Sequence, residues 1–218
     1  MESTSEARPR AFKHAGCPAL PSGDLWVFGY GSLMWDPGFG FVRSAPARLH
    51  GYHRAFCVYS TRYRGTPERP GLVLGLDRGG CCRGIAFLIA EAEVGRVLEC
   101  LWAREMPRLV YRPRLVPVNV GAEKVNALTF VADREHESYA GRLELSDMAQ
   151  RIADCSGARG PNADYLFNTL RHLDELGMRE PRLNAISLAV QALQQPRRPD
   201  EGEASEREPK EERLRRET

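Results

Sequence analysis

The apolar residues of this chain change their spacing once, and that change limits the folds open to it. Up to about residue 131, short runs rich in β-branched and aromatic residues are separated by Gly, Pro and Asp, which predicts β-strands. From about residue 146 onward, apolar residues recur every three to four positions, which predicts helices. Strands followed by helices indicate an α+β fold. The predicted strands, enough for a small barrel, are residues 25–30, 51–58, 72–76, 83–89, 112–118 and 125–131.

One helix is predicted among the strands, and three are predicted after them. The first spans about residues 91–106, where Val94, Leu98 and Leu101 form an apolar stripe and Pro107 follows the last turn. Polar or proline residues begin the later helices, and glycines end two of them. These later helices are predicted at residues 146–157, 162–177 and 181–193.

Composition divides the chain into one folded domain and two polar ends. The predicted elements lie within residues 25–195, which we expect to form a single domain. Residues 1–24 lack apolar periodicity and are predicted to be a flexible arm. Residues 196–218, mostly Glu, Arg, Lys and Pro, are predicted to be a disordered tail.

Charge and cysteine spacing exclude several classes of partner. The 31 basic and 29 acidic side chains nearly balance, so no nucleic-acid partner is expected. No apolar run approaches the roughly 20 residues that cross a bilayer, and no signal peptide is recognisable, so we expect a soluble cytoplasmic protein. The six cysteines lack the paired C-x-x-C spacing of a zinc or redox site, so no metal is expected. The oligomeric state is left open.

Glu105 is a candidate acid–base residue because it falls on the apolar stripe of the first predicted helix. Trp102 and Leu101 precede it by three and four residues and therefore share its face. Burial and the negative end of the helix dipole both raise the pKa of a carboxyl group above the ~4.3 of a free Glu. Such a group suits proton transfer near neutral pH. The alternative is an ordinary salt bridge with Arg104 or Arg108 at the helix end.

Residues Tyr30 to Leu33 form a candidate ligand-binding turn after the first predicted strand. Gly29 and Gly31 allow the backbone to turn sharply and to present N–H groups to an anion. The segment lacks the third glycine of a dinucleotide-binding loop, since Met34 stands there, and it lacks the G-x-S-x-G order of a hydrolase elbow. An ordinary strand-to-loop transition remains the alternative.

Three motifs, in this order along the chain, resemble those of the ChaC-like γ-glutamylcyclotransferases. Residues 26–35 (WVFGYGSLMW) resemble the family's YGSL signature with its flanks. Residues 102–106 (WAREM) resemble its R-E segment, which carries the catalytic glutamate, and Tyr111 stands where a tyrosine usually follows. Residues 157–166 are similar to its Gly-rich turn before a Y-L helix.

Two shorter loops, residues 60–65 and 69–73, are similar to the family's R-G and P-G-x-V loops, and the resemblance as a whole spans about residues 25–193. Residues 106–110 depart from the K-G-G of the family's short form and are more similar to its bacterial long form. This departure affects the expected substrate more than the expected type of reaction.

The resemblance implies a small six-stranded mixed β-barrel with flanking helices and a pocket at the barrel mouth. It implies a cofactor-free and metal-free enzyme that cyclises the γ-glutamyl group of glutathione to 5-oxoproline and releases Cys-Gly. Glu105 would move the protons, and the backbone N–H groups of Gly31, Ser32 and Leu33 would bind a carboxylate or an oxyanion. The other implied substrate contacts are the hydroxyl groups of Tyr30, Tyr111 and Tyr165 and, at the glycine carboxylate, Arg64.

Two alternatives stay open at this point. The same chemistry could act on another γ-glutamyl amino acid or on a γ-glutamylamine. The chain could instead be a non-catalytic relative that binds a small metabolite in the pocket or a protein through its charged tail.

Overall fold

The strands of the first half close into a barrel in the computed structural model, which describes residues 16–195. Within that range the barrel strands are β1 (Leu25–Gly29), β2 (Arg43–Ser60), β3 (Gly71–Ile89), β4 (Tyr111–Val120) and β5 (Glu123–Ala132). They pair in the order β1–β3–β2–β4–β5, and β5 returns to β1 to close the barrel. Adjacent strands are antiparallel except β1 and β5, which pair in parallel. The barrel is therefore mixed.

The helices lie where the apolar periodicity predicts them. Helix α1 (Glu91–Glu105) connects β3 to β4. A two-stranded turn, β6 (Ser156–Gly157) and β7 (Gly160–Pro161), separates the next two helices. The remaining helices are α2 (Leu145–Asp154), α3 (Asn162–Glu175) and α4 (Pro181–Gln194). The α+β architecture with flanking helices is confirmed.

The prediction of six barrel strands is wrong, because two of the predicted strands are parts of β3. Gly79 and Gly80, with φ of 99° and 72°, lie between the two parts and look like a turn in the sequence. Pairing with β2 nevertheless continues on both sides of them, through Tyr52 with Arg78 and through His50 with Cys81. The glycines form a bulge that bends a long strand, which composition alone does not distinguish from a turn.

The apolar stripe of α1 packs against the barrel and holds the last turn of the helix in place. Leu98 and Leu101 are buried, and the Trp102 ring lies edge-on to Phe130 of β5 with ring centroids 5.5 Å apart. Burial of each such side chain contributes about 1.5–3 kcal/mol. Glu105 extends from this anchored turn.

Three glycines allow three loops to cross at close range beside the barrel. A Cβ atom on Gly157 would lie 2.6 Å from the carbonyl carbon of Tyr63. Cβ atoms on Gly65 and Gly71 would also fall well under 3.0 Å from backbone atoms. The glycines of the R-G loop, the P-G loop and the Gly-rich turn are therefore required by packing.

Helix α3 is attached to β3 through its first residue. The Asn162 side chain is buried, and its Oδ1 accepts a hydrogen bond from the Leu72 N–H at 2.6 Å. Its Nδ2 donates to the Leu72 carbonyl at 2.7 Å, so the amide pairs with β3 as a neighbouring strand would. This attachment positions Tyr165, one turn further along α3, against the same strand.

The predicted arm and tail lie largely outside residues 16–195. The described part of the arm, residues 16–24, has neither helix nor strand, although Cys17 and Leu20 pack against the core. The Asp24 carboxylate accepts a hydrogen bond from the Glu91 N–H at 3.0 Å, at the start of α1. Among the described helices, none combines the length and the apolar character that crossing a membrane requires.

Candidate active site

A pocket opens at one end of the barrel, beside the last turn of α1. It contains about 390 Å³ of space, part of it open to solvent. Most of its lining matches the residues predicted from the sequence, and Leu74 and Phe130 are additions. The lining residues are Tyr30, Gly31, Ser32, Leu33, Leu74, Glu105, Tyr111, Phe130 and Tyr165.

Glu105 contributes the carboxylate of this lining. Its side chain is 17% exposed, and burial raises its pKa above the ordinary value for a glutamate. The neighbouring Arg104 lowers the pKa but does not cancel the effect of burial. The Arg104 Nε lies 3.4 Å from Glu105 Oε1, so the carboxylate both faces the pocket and has a cationic neighbour. Arg108 instead donates a hydrogen bond to the Thr61 hydroxyl at 2.6 Å.

Arg104 also joins Glu105 to the turn after β1. Its Nη2 donates to the Ser32 hydroxyl at 2.8 Å, and its Nη1 donates to the Asp36 carbonyl at 2.6 Å. The sequence indicated Arg104 as an ion-pair partner of Glu105 and did not reveal these two contacts. The guanidinium therefore fixes the distance between the carboxylate and the turn.

The turn after β1 contributes Gly31, Ser32 and Leu33 to the pocket lining. Residues Ser32–Met34 form a single 3₁₀ turn, closed by a hydrogen bond of 2.9 Å from the Met34 N–H to the Gly31 carbonyl. The leading N–H groups of such a turn have no carbonyl within it to bind. Apart from the two chain neighbours, no described residue has an atom within 4 Å of a Cβ built on Gly31, so this position faces open space.

Two tyrosine hydroxyl groups bracket Leu74 of β3. The Tyr111 hydroxyl donates to the Leu74 carbonyl at 2.8 Å, whereas the Tyr165 hydroxyl accepts from the Leu74 N–H at 3.4 Å. Each hydroxyl has a single proton. Tyr111 therefore presents an acceptor to the pocket, and Tyr165 retains its proton to donate there.

The three tyrosines remain protonated near neutral pH. Burial raises the pKa of Tyr165 to about 12, and the pKa values of Tyr30 and Tyr111 lie well above their ordinary value for the same main reason. None of the three can act as a base at neutral pH. Glu105 is then the titratable lining group, among the residues described, that can exchange a proton there.

Arg64, predicted as a substrate contact, lies beside the pocket and is not part of its lining among residues 16–195. Its Nη1 donates to the carbonyls of Arg159 and Pro161 at 2.6 and 3.1 Å. Its guanidinium also lies over the Tyr165 ring, 5.4 Å from the centroid. These contacts hold the Gly-rich turn, and a contact with substrate stays a prediction.

The fold and the pocket together define a barrel protein with a largely buried carboxylate next to backbone amides and tyrosine hydroxyls. A family described as "ChaC-like protein" matches residues 25–193. The chain belongs to this family.

Relatives from bacteria and animals cover most of the chain. It is 39% identical over 172 residues to an Escherichia coli protein named glutathione-specific gamma-glutamylcyclotransferase, covering 78% of this chain and 74% of the relative. It is 33% identical over 207 residues to a mouse protein named glutathione-specific gamma-glutamylcyclotransferase 1, covering 88% and 93% respectively. A crystal structure of a yeast gamma-glutamyl cyclotransferase specific to glutathione matches with a TM-score of 0.70 at 22% identity, covering 80% of this chain and all of the yeast chain. At that identity the yeast structure supports the fold.

Proposed function

We propose that this protein is a γ-glutamylcyclotransferase that acts on glutathione. It cyclises the γ-glutamyl group to 5-oxoproline and releases Cys-Gly. The observation that carries the proposal is the position of Glu105, a carboxylate with a raised pKa that faces a pocket lined by loop amides and tyrosine hydroxyls. The names of the bacterial and mouse relatives support glutathione as the substrate.

The reaction needs a folded substrate and a group that moves protons. The α-amino nitrogen of the γ-glutamyl residue attacks its own γ-carbonyl carbon, so a C–N bond forms within one molecule. Glu105 takes one proton from the ammonium, which frees the nitrogen lone pair for attack, and delivers it to the cysteine nitrogen as its bond to that carbon breaks. The ring nitrogen loses a second proton as the lactam forms, and the released amine of Cys-Gly takes up one proton to become an ammonium. The carboxylate ends in its starting state. No electrons are transferred and no water is consumed, so the chemistry requires no cofactor.

The turn after β1 supplies fixed donors for negative oxygen atoms. In the proposal, the N–H groups of Gly31, Ser32 and Leu33 bind the α-carboxylate or the oxyanion that develops on the γ-carbonyl. Donors that are already oriented need no reorganisation during the reaction, which makes them effective in a site shielded from water. The ion pair of Arg104 with Glu105 and its bond to Ser32 keep these donors in register with the carboxylate.

The direct test is incubation of the purified protein with glutathione and detection of both 5-oxoproline and Cys-Gly. A panel containing γ-glutamylalanine and a γ-glutamylamine separates glutathione specificity from general γ-glutamyl activity. We expect kcat/KM to be highest for glutathione, because binding of the Cys-Gly half helps to orient the reacting half. Equal rates across the panel would favour the broader activity, and binding without any 5-oxoproline would favour a non-catalytic relative.

The two tyrosines that bracket Leu74 should respond differently to removal of the hydroxyl group. We expect Tyr111→Phe to weaken binding of the substrate ammonium and Tyr165→Phe to weaken binding of a substrate oxygen, each by about tenfold in kcat/KM for glutathione. The discriminating probe is glutaryl-Cys-Gly, which lacks the amine. Its inhibition constant should change in Tyr165→Phe and stay within about twofold in Tyr111→Phe. The reverse pattern would exchange the two roles.

A further inference from the structure

Arg54 of β2 lies directly beneath the turn after β1 and outside the pocket lining described above. Its side chain is fully buried, and its guanidinium binds several groups at once. Its Nε donates to the Tyr30 carbonyl, its Nη1 donates to the Glu180 carboxylate, and its Nη2 donates to the Arg83 carbonyl at 2.7 Å. Nη2 also lies 3.8 Å from the Met34 sulfur, so Arg54 contacts both ends of the turn.

Stability alone is a weak explanation for a buried arginine at this position. Removing an ion pair from water costs several kcal/mol per charge, and well-packed apolar side chains often serve a core equally well or better. A buried guanidinium is of more use where several acceptors must be held in one fixed arrangement. Here the acceptors belong to three elements: the turn after β1, strand β3, and the residue before α4.

The bond to the Tyr30 carbonyl also determines the direction of the next N–H group. Among the described residues every peptide bond is trans, so the Tyr30 carbonyl and the Gly31 N–H belong to one planar unit and point in opposite directions. Because Arg54 holds the carbonyl, the Gly31 N–H points away from Arg54, and Gly31 lines the pocket. A charged donor on the carbonyl also polarises the peptide and strengthens its N–H as a donor.

We propose that Arg54 is a positioning residue for the reaction: it orients and polarises the Tyr30–Gly31 peptide so that the Gly31 N–H binds a negative oxygen of the substrate. This inference rests on the proposed function. Glu180 balances the charge of Arg54, and its own carbonyl accepts a hydrogen bond from the Asn184 N–H at 3.0 Å in the first turn of α4. Helix α4 thereby stabilises the turn without touching the substrate.

The test compares Arg54→Lys and Arg54→Met with the matched control Thr129→Val. The buried Thr129 hydroxyl donates to the Phe28 carbonyl at 2.9 Å, so this control removes a buried hydrogen bond to β1 and leaves the Tyr30 peptide intact. We expect kcat/KM for glutathione, per folded molecule, to fall 10- to 100-fold in both Arg54 variants. Lys keeps the charge but cannot reproduce the planar fork, so it should not rescue the rate. The control should remain within about twofold of wild type.

A second measurement reports directly on the polarisation of the Tyr30–Gly31 peptide. In protein labelled with ¹⁵N-glycine, the Gly31 amide signal is identified by its loss in Gly31→Ala. This Gly31 signal should move upfield in Arg54→Lys, because a weaker hydrogen bond to the Tyr30 carbonyl reduces the polarisation of the Gly31 N–H. In Thr129→Val the signal should stay in place. Glu180→Gln, which keeps an acceptor for Arg54, should have a smaller effect on both the rate and the signal.

The outcomes separate this inference from the proposed function. An active wild type with unchanged kcat/KM in folded Arg54 variants would overturn the role of Arg54 alone. An unmoved Gly31 signal would overturn it as well, even if the rate fell. A wild type without turnover on any γ-glutamyl compound would overturn the proposed function first, and a reaction role for Arg54 would fall with it.

Discussion

Replacing Glu105 with Gln is expected to lower kcat for 5-oxoproline formation from glutathione by at least about a hundredfold. Gln keeps the size of the side chain and removes the group that accepts and returns the proton, and general acid–base catalysis contributes about 10²–10⁴-fold. The turn amides and the tyrosines remain, so KM should change much less than kcat. Release of Cys-Gly, followed by chromatography over hours, measures the residual rate. Equal turnover by the two proteins would remove Glu105 from the mechanism.

Two further measurements distinguish loss of the catalytic group in Glu105→Gln from loss of folded protein. Burial raises the pKa of Glu105, so the folded protein disfavours its ionised form, and Gln removes that cost at neutral pH. The melting temperature of Glu105→Gln should therefore equal or exceed that of wild type.

The rate of the wild-type enzyme should fall as the pH drops through the raised pKa of Glu105, and this fall should occur at a higher pH than an ordinary glutamate would give. An acid limb at or below the range of an exposed glutamate would contradict the assignment.

Gly71→Ala is expected to cause the largest loss of stability, about 3 kcal/mol or more. A methyl group at Gly71 would collide with the backbone at Arg64 and with the Asn162 amide, and the amide cannot move without breaking the attachment of α3 to β3. For a domain of this size such a loss lowers the melting temperature by about 6–12 °C. Calorimetry or circular dichroism gives the measurement.

Gly95→Ala is the matched control, because the same atoms are added at a glycine with open surroundings. Gly95 is exposed in α1, and apart from its chain neighbours and the backbone of its own helix, no atom of the described structure lies within 4 Å of its added Cβ. Alanine favours a helix over glycine by about 0.8–1.0 kcal/mol, so the melting temperature should rise slightly. A similar loss in both variants would show that the loop crossing does not depend on close contact at Gly71.

The parts of the fold that local sequence patterns determine were predictable. The parts that depend on pairing between strands distant in the sequence were not. The helices follow from apolar spacing and from their end residues. The strand count does not, because Gly79 and Gly80 carry the composition of a turn, and only pairing with β2 makes them a bulge within one strand. The same limit explains β2, predicted over residues 51–58 and observed from Arg43 to Ser60.

The site was predictable through the helical position of Glu105 and through the resemblance, which indicated most of the lining. Leu74 and Phe130 were missed, because they reach the pocket only when β3 and β5 take their places in the barrel. The position of Arg54 did carry a signal. It shares a face with Phe56, two residues on in a predicted strand, and a charge on the buried face of a strand requires a partner. That partner, Glu180, lies 126 residues away.

The residues that line the pocket come from segments spread over most of the chain, from the turn after β1 to Tyr165 of α3. Synthesis therefore completes the site late. When only the five barrel strands have been synthesised, Glu105 and the amides of the turn after β1 are present. Tyr165 is still missing, and so is Asn162, which attaches α3 to β3. A nascent chain of that length lacks one wall of the pocket, so we expect the pocket to be complete only after α3 has been synthesised and has packed against β3.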